Sequence, residues 1–230
     1  MASSSVFKPG ILQGLYPEKN SQPSGFLDQS LLWAENHVNR KFKHNQKSLE
    51  NVAVAINKCT EYYEKLNDDE LDAQIKHVKS KLHLRGFEDG TIIEAFALIR
   101  EIAGRNMSMR HFDVQLIGGW VMLKGMIAQM NTGEGKTLTA TLPACTAAMA
   151  GVPVHIVTVN DYLVKRDAEL MGPIYQALGL SVGTITEGMD FGARQAAYAC
   201  DITYCSNKQL TFDYLKDRIV LGRKGSRLQL

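Results

Sequence analysis

The spacing of apolar residues along the chain changes near residue 109, and the two patterns predict two kinds of structure. Before that point apolar residues recur every three or four positions, which is the period of an amphipathic helix. Two such series are Leu49, Val52, Ala53, Ile56 and Tyr63, and then Leu71, Ile75, Val78 and Leu82. The sequence therefore predicts a mostly α-helical region before residue 109.

Local signals predict where some of these helices begin and end. Asn67 and Glu70 have the spacing of a capping box, in which two side chains satisfy backbone N–H groups at a helix start. Thr91 and Glu94 have the same spacing and suitable residue types, so they predict another helix start. Gly104 predicts the end of that helix, because glycine commonly follows the last helical turn.

After residue 109 short apolar runs alternate with helical patterns. The runs at 126–130, 152–159, 180–185 and 202–205 predict strands, and the patterns at 136–150, 161–178, 191–199 and 208–219 predict helices. Parallel strands need long crossovers, so repeated strand–helix units favour a parallel sheet with helices on both faces. The predicted fold class is α/β, preceded by an α-helical N-terminal region.

Composition adds limits to this picture. The chain has 230 residues, 45% of them hydrophobic and 22% charged, which suits a globular protein of one or two domains. We predict a flexible arm at 1–28, a helical region at 29–108 and an α/β region at 109–230. The net charge of +2 does not require a nucleic-acid partner. A basic cluster at 40–47 could touch anionic lipid or nucleic acid, although such a run is more often a solvated helix face.

Cysteine usage and hydropathy favour a cytosolic, water-soluble chain. The four cysteines are too few and too irregularly spaced for a disulfide framework or a zinc site. The N-terminus lacks the continuous apolar run of a secretory signal. No charged residue lies between Lys136 and Asp161, but Pro143 and the Gly-Val-Pro at 151–153 interrupt this stretch. A helix, a turn and a buried strand fit it better than a membrane span.

The stretch MNTGEGKTL at 130–138 follows a predicted strand and opens a predicted helix. A helix start presents unpaired N–H groups and the positive end of the helix dipole to an anion. Gly133 and Gly135, on either side of Glu134, let the backbone curl around a phosphate. We expect Lys136 to neutralise the β- and γ-phosphates as the catalytic cation, and the Thr137 hydroxyl to bind Mg²⁺.

This glycine pattern departs from the usual phosphate-loop pattern at one position. Met130 stands where the first glycine belongs, and the form TGEGKT is the variant used by helicase-like motors. An ordinary turn between a strand and a helix is the alternative interpretation. The context favours a loop that binds a nucleoside triphosphate.

Gln115, fifteen residues before Met130, is a candidate for contact with the base. A side-chain amide can both donate to and accept from the edge of adenine, a pattern that guanine does not mirror. Taken alone, such a glutamine is usually just polar surface.

Several long motifs together resemble the SecA family, the ATPase motors of bacterial preprotein translocation. The motifs are MRHFDVQLIGG at 109–119, IAQMNTGEGKTLTATLPA at 127–144, VTVNDYLVKRDAE at 157–169 and FDYLKDR at 212–218. Upstream, YEKLNDDEL at 63–71 and IEAFALIRE at 93–101 are similar to the family's N-terminal helical region. Residues 1–48 and 205–211 depart from the usual family form, which leaves a divergent or accessory relative open.

The resemblance implies a RecA-like P-loop sheet in a motor that couples ATP hydrolysis to moving unfolded preproteins through the SecYEG channel. By position, Gln115 would contact adenine, the residues from Gly133 to Thr137 would wrap the phosphates, and Asn160 with Asp161 would start a helix without a catalytic role. The implied location is the bacterial cytoplasm, at the inner face of the cell membrane with peripheral contact to its anionic surface. No nucleic-acid partner is expected. A nucleic-acid helicase or translocase and a non-catalytic nucleotide-binding module are the alternatives.

One catalytic element expected of a P-loop ATPase does not follow the loop. Such enzymes carry an acidic pair, the Walker B element, at the end of a later strand. No apolar run ending in Asp-Glu follows Thr137, and RLQL at 227–230 resembles the beginning of that strand. We therefore expect an incomplete sheet, in a chain that is either an N-terminal piece of a larger motor or a truncated gene product. We also expect this chain not to hydrolyse ATP alone.

Overall fold

The computed structural model describes residues 46–220. The predicted arm at 1–28, most of the basic cluster at 40–47 and the RLQL segment lie outside the described residues. The helical region contains α1 (Gln46–Tyr63), α2 (Asp68–Arg85), α3 (Asp89–Met107) and α4 (Asp113–Leu123). There follow α5 (Lys136–Met149), β1 (Val154–Thr158), α6 (Asp161–Ala177), β2 (Val182–Ile185), α7 (Phe191–Tyr198), β3 (Ile202–Ser206) and α8 (Asn207–Val220).

The three strands form a parallel sheet in the order β1-β3-β2. Ile202 of β3 pairs with Val154 of β1 on one side and with Val182 of β2 on the other. Every residue of the central strand β3 is buried, as expected for a parallel strand covered on both faces. The predicted α/β class with a parallel sheet and a helical N-terminal region is confirmed.

Alternate residues of β3 enter two different hydrophobic clusters. Ile202 and Tyr204 belong to the large core, where the Tyr204 hydroxyl lies 2.7 Å from that of Tyr175 in α6. Cys205 belongs to a smaller cluster that includes Ala197 of α7. Successive side chains of a strand point to opposite faces, so helices cover the sheet on both sides.

The helical region shares the large core with the α/β region. Ile56 of α1, Leu82 of α2 and Phe96 of α3 are fully buried there, together with Leu142 of α5 and Ile174 of α6. Helix α3 contacts both α5 and α6. Helix α5, which follows the glycine pattern, therefore packs against the N-terminal helices. None of the helices within residues 46–220 is long and apolar enough to cross a membrane.

Two of the predicted helix caps are confirmed. The Asn67 side chain accepts a hydrogen bond from the Glu70 N–H at 2.9 Å, and the Glu70 carboxylate accepts one from the Asn67 N–H at 2.9 Å. Asn160 caps α6 by accepting from the Leu163 N–H at 2.9 Å. In both cases the side chain satisfies a donor that the first helical turn leaves without an internal partner.

The predicted limits of α3 are wrong at both ends. The helix begins at Asp89, so Thr91 lies within its first turn, and Glu94 forms an ion pair with Lys81 of α2 instead of a capping box. The helix also passes Gly104 and ends at Met107. Gly104 serves a different purpose, because a Cβ there would lie only 2.8 Å from Nε of Arg110, which packs across the helix.

The predicted strand at 126–130 is also wrong. These residues adopt no regular secondary structure, and Ile127 is 94% exposed. An apolar run becomes a strand only when a neighbouring strand accepts its backbone hydrogen bonds. Within residues 46–220, β1 pairs only with β3, and no strand pairs with the 126–130 segment.

Candidate nucleotide-binding site

The glycine loop, residues 131–135, leads directly into α5. Gly135 is the N-cap of that helix, with φ of 77° and ψ of 38°, and Gly133 has φ of 89°. Both angles lie in the left-handed region, which glycine enters without the steric cost of a Cβ. The first turn of α5 consequently presents its backbone N–H groups and the positive end of its dipole at the loop. A Cβ built on Gly133 would meet no atom within 4 Å, so the loop borders open space that an anion could enter.

Hydrogen bonds within the loop meet at Asn131. The Glu134 carboxylate accepts from the Asn131 backbone N–H at 2.7 Å and from its side-chain Nδ2 at 3.0 Å. The Lys136 ammonium donates to the Asn131 carbonyl at 2.7 Å. Lys136 is exposed, and its partner among the described residues is a neutral oxygen, so its charge is available to a phosphate.

Gln115 lies in the first turn of α4 and is only 4% exposed, which excludes the interpretation as polar surface. Its Nε2 donates to the Glu134 carbonyl at 2.9 Å, and its Oε1 accepts from the Phe112 N–H at 2.9 Å. The amide thus connects the start of α4 to the glycine loop. A carboxamide has two N–H groups and two lone pairs on oxygen, so these bonds leave a donor and an acceptor for a ligand.

One cavity of about 1030 Å³ brings most of the predicted site residues together. Its walls include Gln115, Gly133, Glu134, Gly135 and Thr137, with apolar side chains such as Phe112. This volume matches the upper end of small-molecule and cofactor sites. Lys136 is not part of the wall, but its ammonium donates to the carbonyl of Asn131, and Asn131 is part of the wall.

The predicted metal-binding role falls on Thr137 alone. This half-buried residue is the second of α5 and borders the cavity. A hydroxyl is the kind of hard oxygen ligand that Mg²⁺ accepts. Among residues 46–220 there is no group of three or more His, Cys, Asp or Glu that could hold a metal ion.

His111 contacts the helix that begins at this site, a role that the sequence did not identify. It is fully buried, and its Nε2 lies 3.0 Å from the Leu138 carbonyl and 3.2 Å from the Thr141 hydroxyl, both in α5. Burial lowers the pKa of His111 to about 4, so the imidazole is neutral at physiological pH and its Nε2–H donates to α5. Its position in the sequence carries no signal for this role, because the partners lie 27 and 30 residues away.

The geometry of this site defines a class of protein. A glycine loop opens a helix beside a large cavity, and that helix packs against a parallel α/β sheet. This is the arrangement of a P-loop nucleotide-binding protein.

Comparison with known families identifies the particular one. The SecA DEAD-like domain matches residues 34–229, which is most of the chain, and the chain belongs to the SecA family. The match begins upstream of residue 63, which is where the first of the resembling motifs begins. The match favours the SecA family over the nucleic-acid helicase alternative.

Individual relatives agree with the family match. Over 216 residues, 90% of the chain, it is 44% identical to protein translocase subunit SecA 2 of Nitrosospira multiformis. Identity is 56% over 149 residues, 65% of the chain, with SecA 2 of Bordetella avium, and 50% over 175 residues, 76% of the chain, with SecA of Desulforudis audaxviator. The chain spans 31%, 23% and 19% of the lengths of these three relatives.

Proposed function

We propose that this chain is the ATP-binding part of a protein-translocating motor. The observation that carries the proposal is the connection of Gln115 to the glycine loop. A residue suited to adenine and a loop suited to phosphates border one cavity and are joined by the 2.9 Å bond from Gln115 to the Glu134 carbonyl. In the proposed complex the phosphates lie over Gly133–Thr137, where the helix N–H groups and Lys136 offset their charge.

Mg²⁺ completes the proposed ligand. When bound, it would neutralise phosphate charge and polarise the transferred phosphoryl group. Thr137 would hold it through its hydroxyl, while Lys136 would move from the Asn131 carbonyl to a phosphate oxygen. Exchange of a neutral acceptor for an anionic one strengthens the hydrogen bond, which favours this movement.

The chain alone binds ATP in this proposal but does not hydrolyse it. Hydrolysis of a P-loop nucleotide requires a carboxylate that holds Mg²⁺ and orients the attacking water. Glu134 is the only carboxylate among the described residues that line the cavity, and it is bound to Asn131. Turnover would then be a property of the complete motor, with Lys136 stabilising charge on the transferred phosphate.

The family supplies the wider setting of the proposal. The relatives are named protein translocase subunits. We place the complete molecule in the bacterial cytoplasm, peripherally at the inner face of the cell membrane and its anionic surface, where it would move unfolded preproteins through the SecYEG channel. The proposal includes no nucleic-acid partner.

The test is the affinity for MgATP, measured by titration calorimetry on the whole chain. Replacing Lys136 with alanine removes a charge-assisted bond to phosphate, so the dissociation constant should rise more than about tenfold. Lys165→Ala is the matched control, because it removes the same charge from an exposed position on α6 outside the cavity wall. Equal affinity of the wild-type chain and Lys136→Ala would remove the glycine loop from the proposed site.

A further inference from the structure

Segment 109–113 carries the base side of the candidate site. It joins α3 to α4 and borders the cavity with Met109 and Phe112 before the chain reaches Gln115. Residues 109–112 have no regular secondary structure, although the carbonyl of Phe112 accepts from the N–H groups of Gln115 and Leu116 at the start of α4. Contacts made by side chains hold the segment before Phe112.

Arg100 of α3 makes one of these contacts, in addition to the bonds that Arg110 of the segment makes to Glu101 and Glu64. Its Nε donates to the carbonyl of His111 at 2.9 Å, and its guanidinium also donates to the Asn57 side-chain oxygen in α1. Asn57 in turn donates through Nδ2 to the Asp113 carboxylate at 2.9 Å. One guanidinium thus restrains the middle of the segment directly and its end through Asn57.

The same segment is attached to α5 on its other side. His111 accepts from Arg100 through its backbone and bonds the Leu138 carbonyl through its imidazole at 3.0 Å. These two hydrogen bonds therefore connect Arg100 in the N-terminal helices, through His111, to Leu138 in the helix that begins at the glycine loop. The length of this connection sets how far the base side of the cavity lies from the phosphate side.

We propose that Arg100 is a positioning residue for the nucleotide, because it holds segment 109–113 at the distance from α5 that lets base and phosphates bind at once. The inference rests on the proposed ATP site and extends it to a residue that does not line the cavity. Arginine suits this position, since its planar fork reaches two acceptors in different directions, whereas a lysine ammonium is a compact point charge on a flexible stem.

The test compares ATP with inorganic tripolyphosphate, which has the phosphates but no base. Affinities of the whole chain for both magnesium complexes are measured in wild type and in Arg100→Met, which keeps an apolar stem and removes the fork. ATP affinity should fall about tenfold or more, because pre-organisation of the base side is lost, while tripolyphosphate affinity stays within about twofold. A general loosening of the fold would weaken both ligands alike, and that result overturns the proposal, as does no change in either.

Arg105→Met is the matched control on the same helix. Arg105 donates to Glu101 of α3, to Asp68 of α2 and to the carbonyls of Tyr63 and Leu66, where α1 ends and the next loop begins. Its loss removes contacts between α3 and the other N-terminal helices without touching the His111 carbonyl, and the second oxygen of Glu101 keeps its 2.7 Å bond to Arg110. The ratio of ATP to tripolyphosphate affinity should stay at the wild-type value, and a ratio that falls as far as in Arg100→Met overturns the specific role of Arg100.

Two further variants keep the proposal testable if Arg100→Met does not fold, as judged by circular dichroism. Asn57→Ala removes only the restraint on Asp113 and should lower the ratio in the same direction by a smaller factor. Arg100→Lys should restore part of the ratio, since an ammonium can still reach the His111 carbonyl. Unchanged ratios in both variants count against the proposal.

Failure of the positioning role can be told from failure of the site itself. If the wild-type chain binds neither ligand, or if Lys136→Ala weakens neither, the proposed function fails and the role of Arg100 fails with it. If Lys136→Ala weakens both ligands and Arg100→Met leaves their ratio unchanged, only the role of Arg100 fails.

Discussion

Gly135 and Gly133 should respond very differently to alanine although they are two residues apart in one loop. Both have φ in the left-handed region, at 77° and 89°, so a Cβ at either position costs about 1–2 kcal/mol of backbone strain. They differ in their surroundings. A Cβ on Gly133 meets nothing within 4 Å, whereas one on Gly135 would lie 2.3 Å from Nε2 of Gln115.

The additional cost at Gly135 follows from the burial of Gln115. Alanine there must displace an amide that is 4% exposed and donates to the Glu134 carbonyl at 2.9 Å. Loss of a hydrogen bond from a buried polar group costs about 1–3 kcal/mol. Gly135→Ala should therefore lower the free energy of unfolding by about 2–5 kcal/mol, and Gly133→Ala by only about 1–2 kcal/mol.

Urea denaturation followed by circular dichroism measures the two free energies of unfolding. The decisive comparison is made in a Gln115→Ala background, where the colliding amide is absent. There Gly135→Ala should cost no more than Gly133→Ala, because only backbone strain remains, and the costs of the Gln115 and Gly135 substitutions should not add. Equal destabilisation by the two glycine substitutions in the wild-type background would refute the contact between Gln115 and the loop.

Two further predictions concern residues beside the loop. Gln115→Ala should remove most of the preference for ATP over GTP, since guanine offers an acceptor where adenine offers a donor. Competition binding on a chain complete enough to close the site measures the ratio of the two affinities. An unchanged ratio contradicts the base contact. Burial lowers the pKa of His111 from 6.5 to about 4, so His111 binds a proton more readily in the unfolded chain. The free energy of unfolding should therefore fall by on the order of 3 kcal/mol as pH drops from about 6.5 to 4. Urea titrations across that range should show a shallower pH dependence in His111→Asn, and equal slopes would show that His111 is not buried in its neutral form.

The elements that the sequence predicts well are those whose signals are local. Helix α5 was expected at 136–150 and spans Lys136–Met149, because a glycine loop precedes it and a Gly-Val-Pro turn follows it. The caps at Asn67 and Asn160 depend on residues three positions apart. The parallel sheet follows from the alternation of apolar runs with helical patterns, since that alternation leaves few other ways to bury both.

Features that depend on distant residues could not be obtained in this way. Gln115 and Glu134 are 19 positions apart, and Arg100 and Asn57 are 43 apart, so no local pattern marks either pair. Gly104 misled for a similar reason. Glycine often follows the end of a helix, but Gly104 instead leaves room for the side chain of Arg110. Only the folded chain reveals this contact. The glycine loop itself was found from sequence because its residues are contiguous, whereas the residues that hold its base side are not.

The strand order β1-β3-β2 has a consequence for how the chain can be made. Within residues 46–220 the strand synthesised last lies between the other two, so β1 and β2 have no strand partner from this part of the chain until β3 leaves the ribosome. From Thr158 to Ser206 the chain grows by 48 residues, which takes roughly 2–10 s at ordinary rates of synthesis. Helices α1–α3 contact one another over short sequence separations and can pack during that interval. During this interval the apolar faces of β1 and β2 stay uncovered while the polypeptide grows. The nascent chain is then most exposed to aggregation and to chaperones.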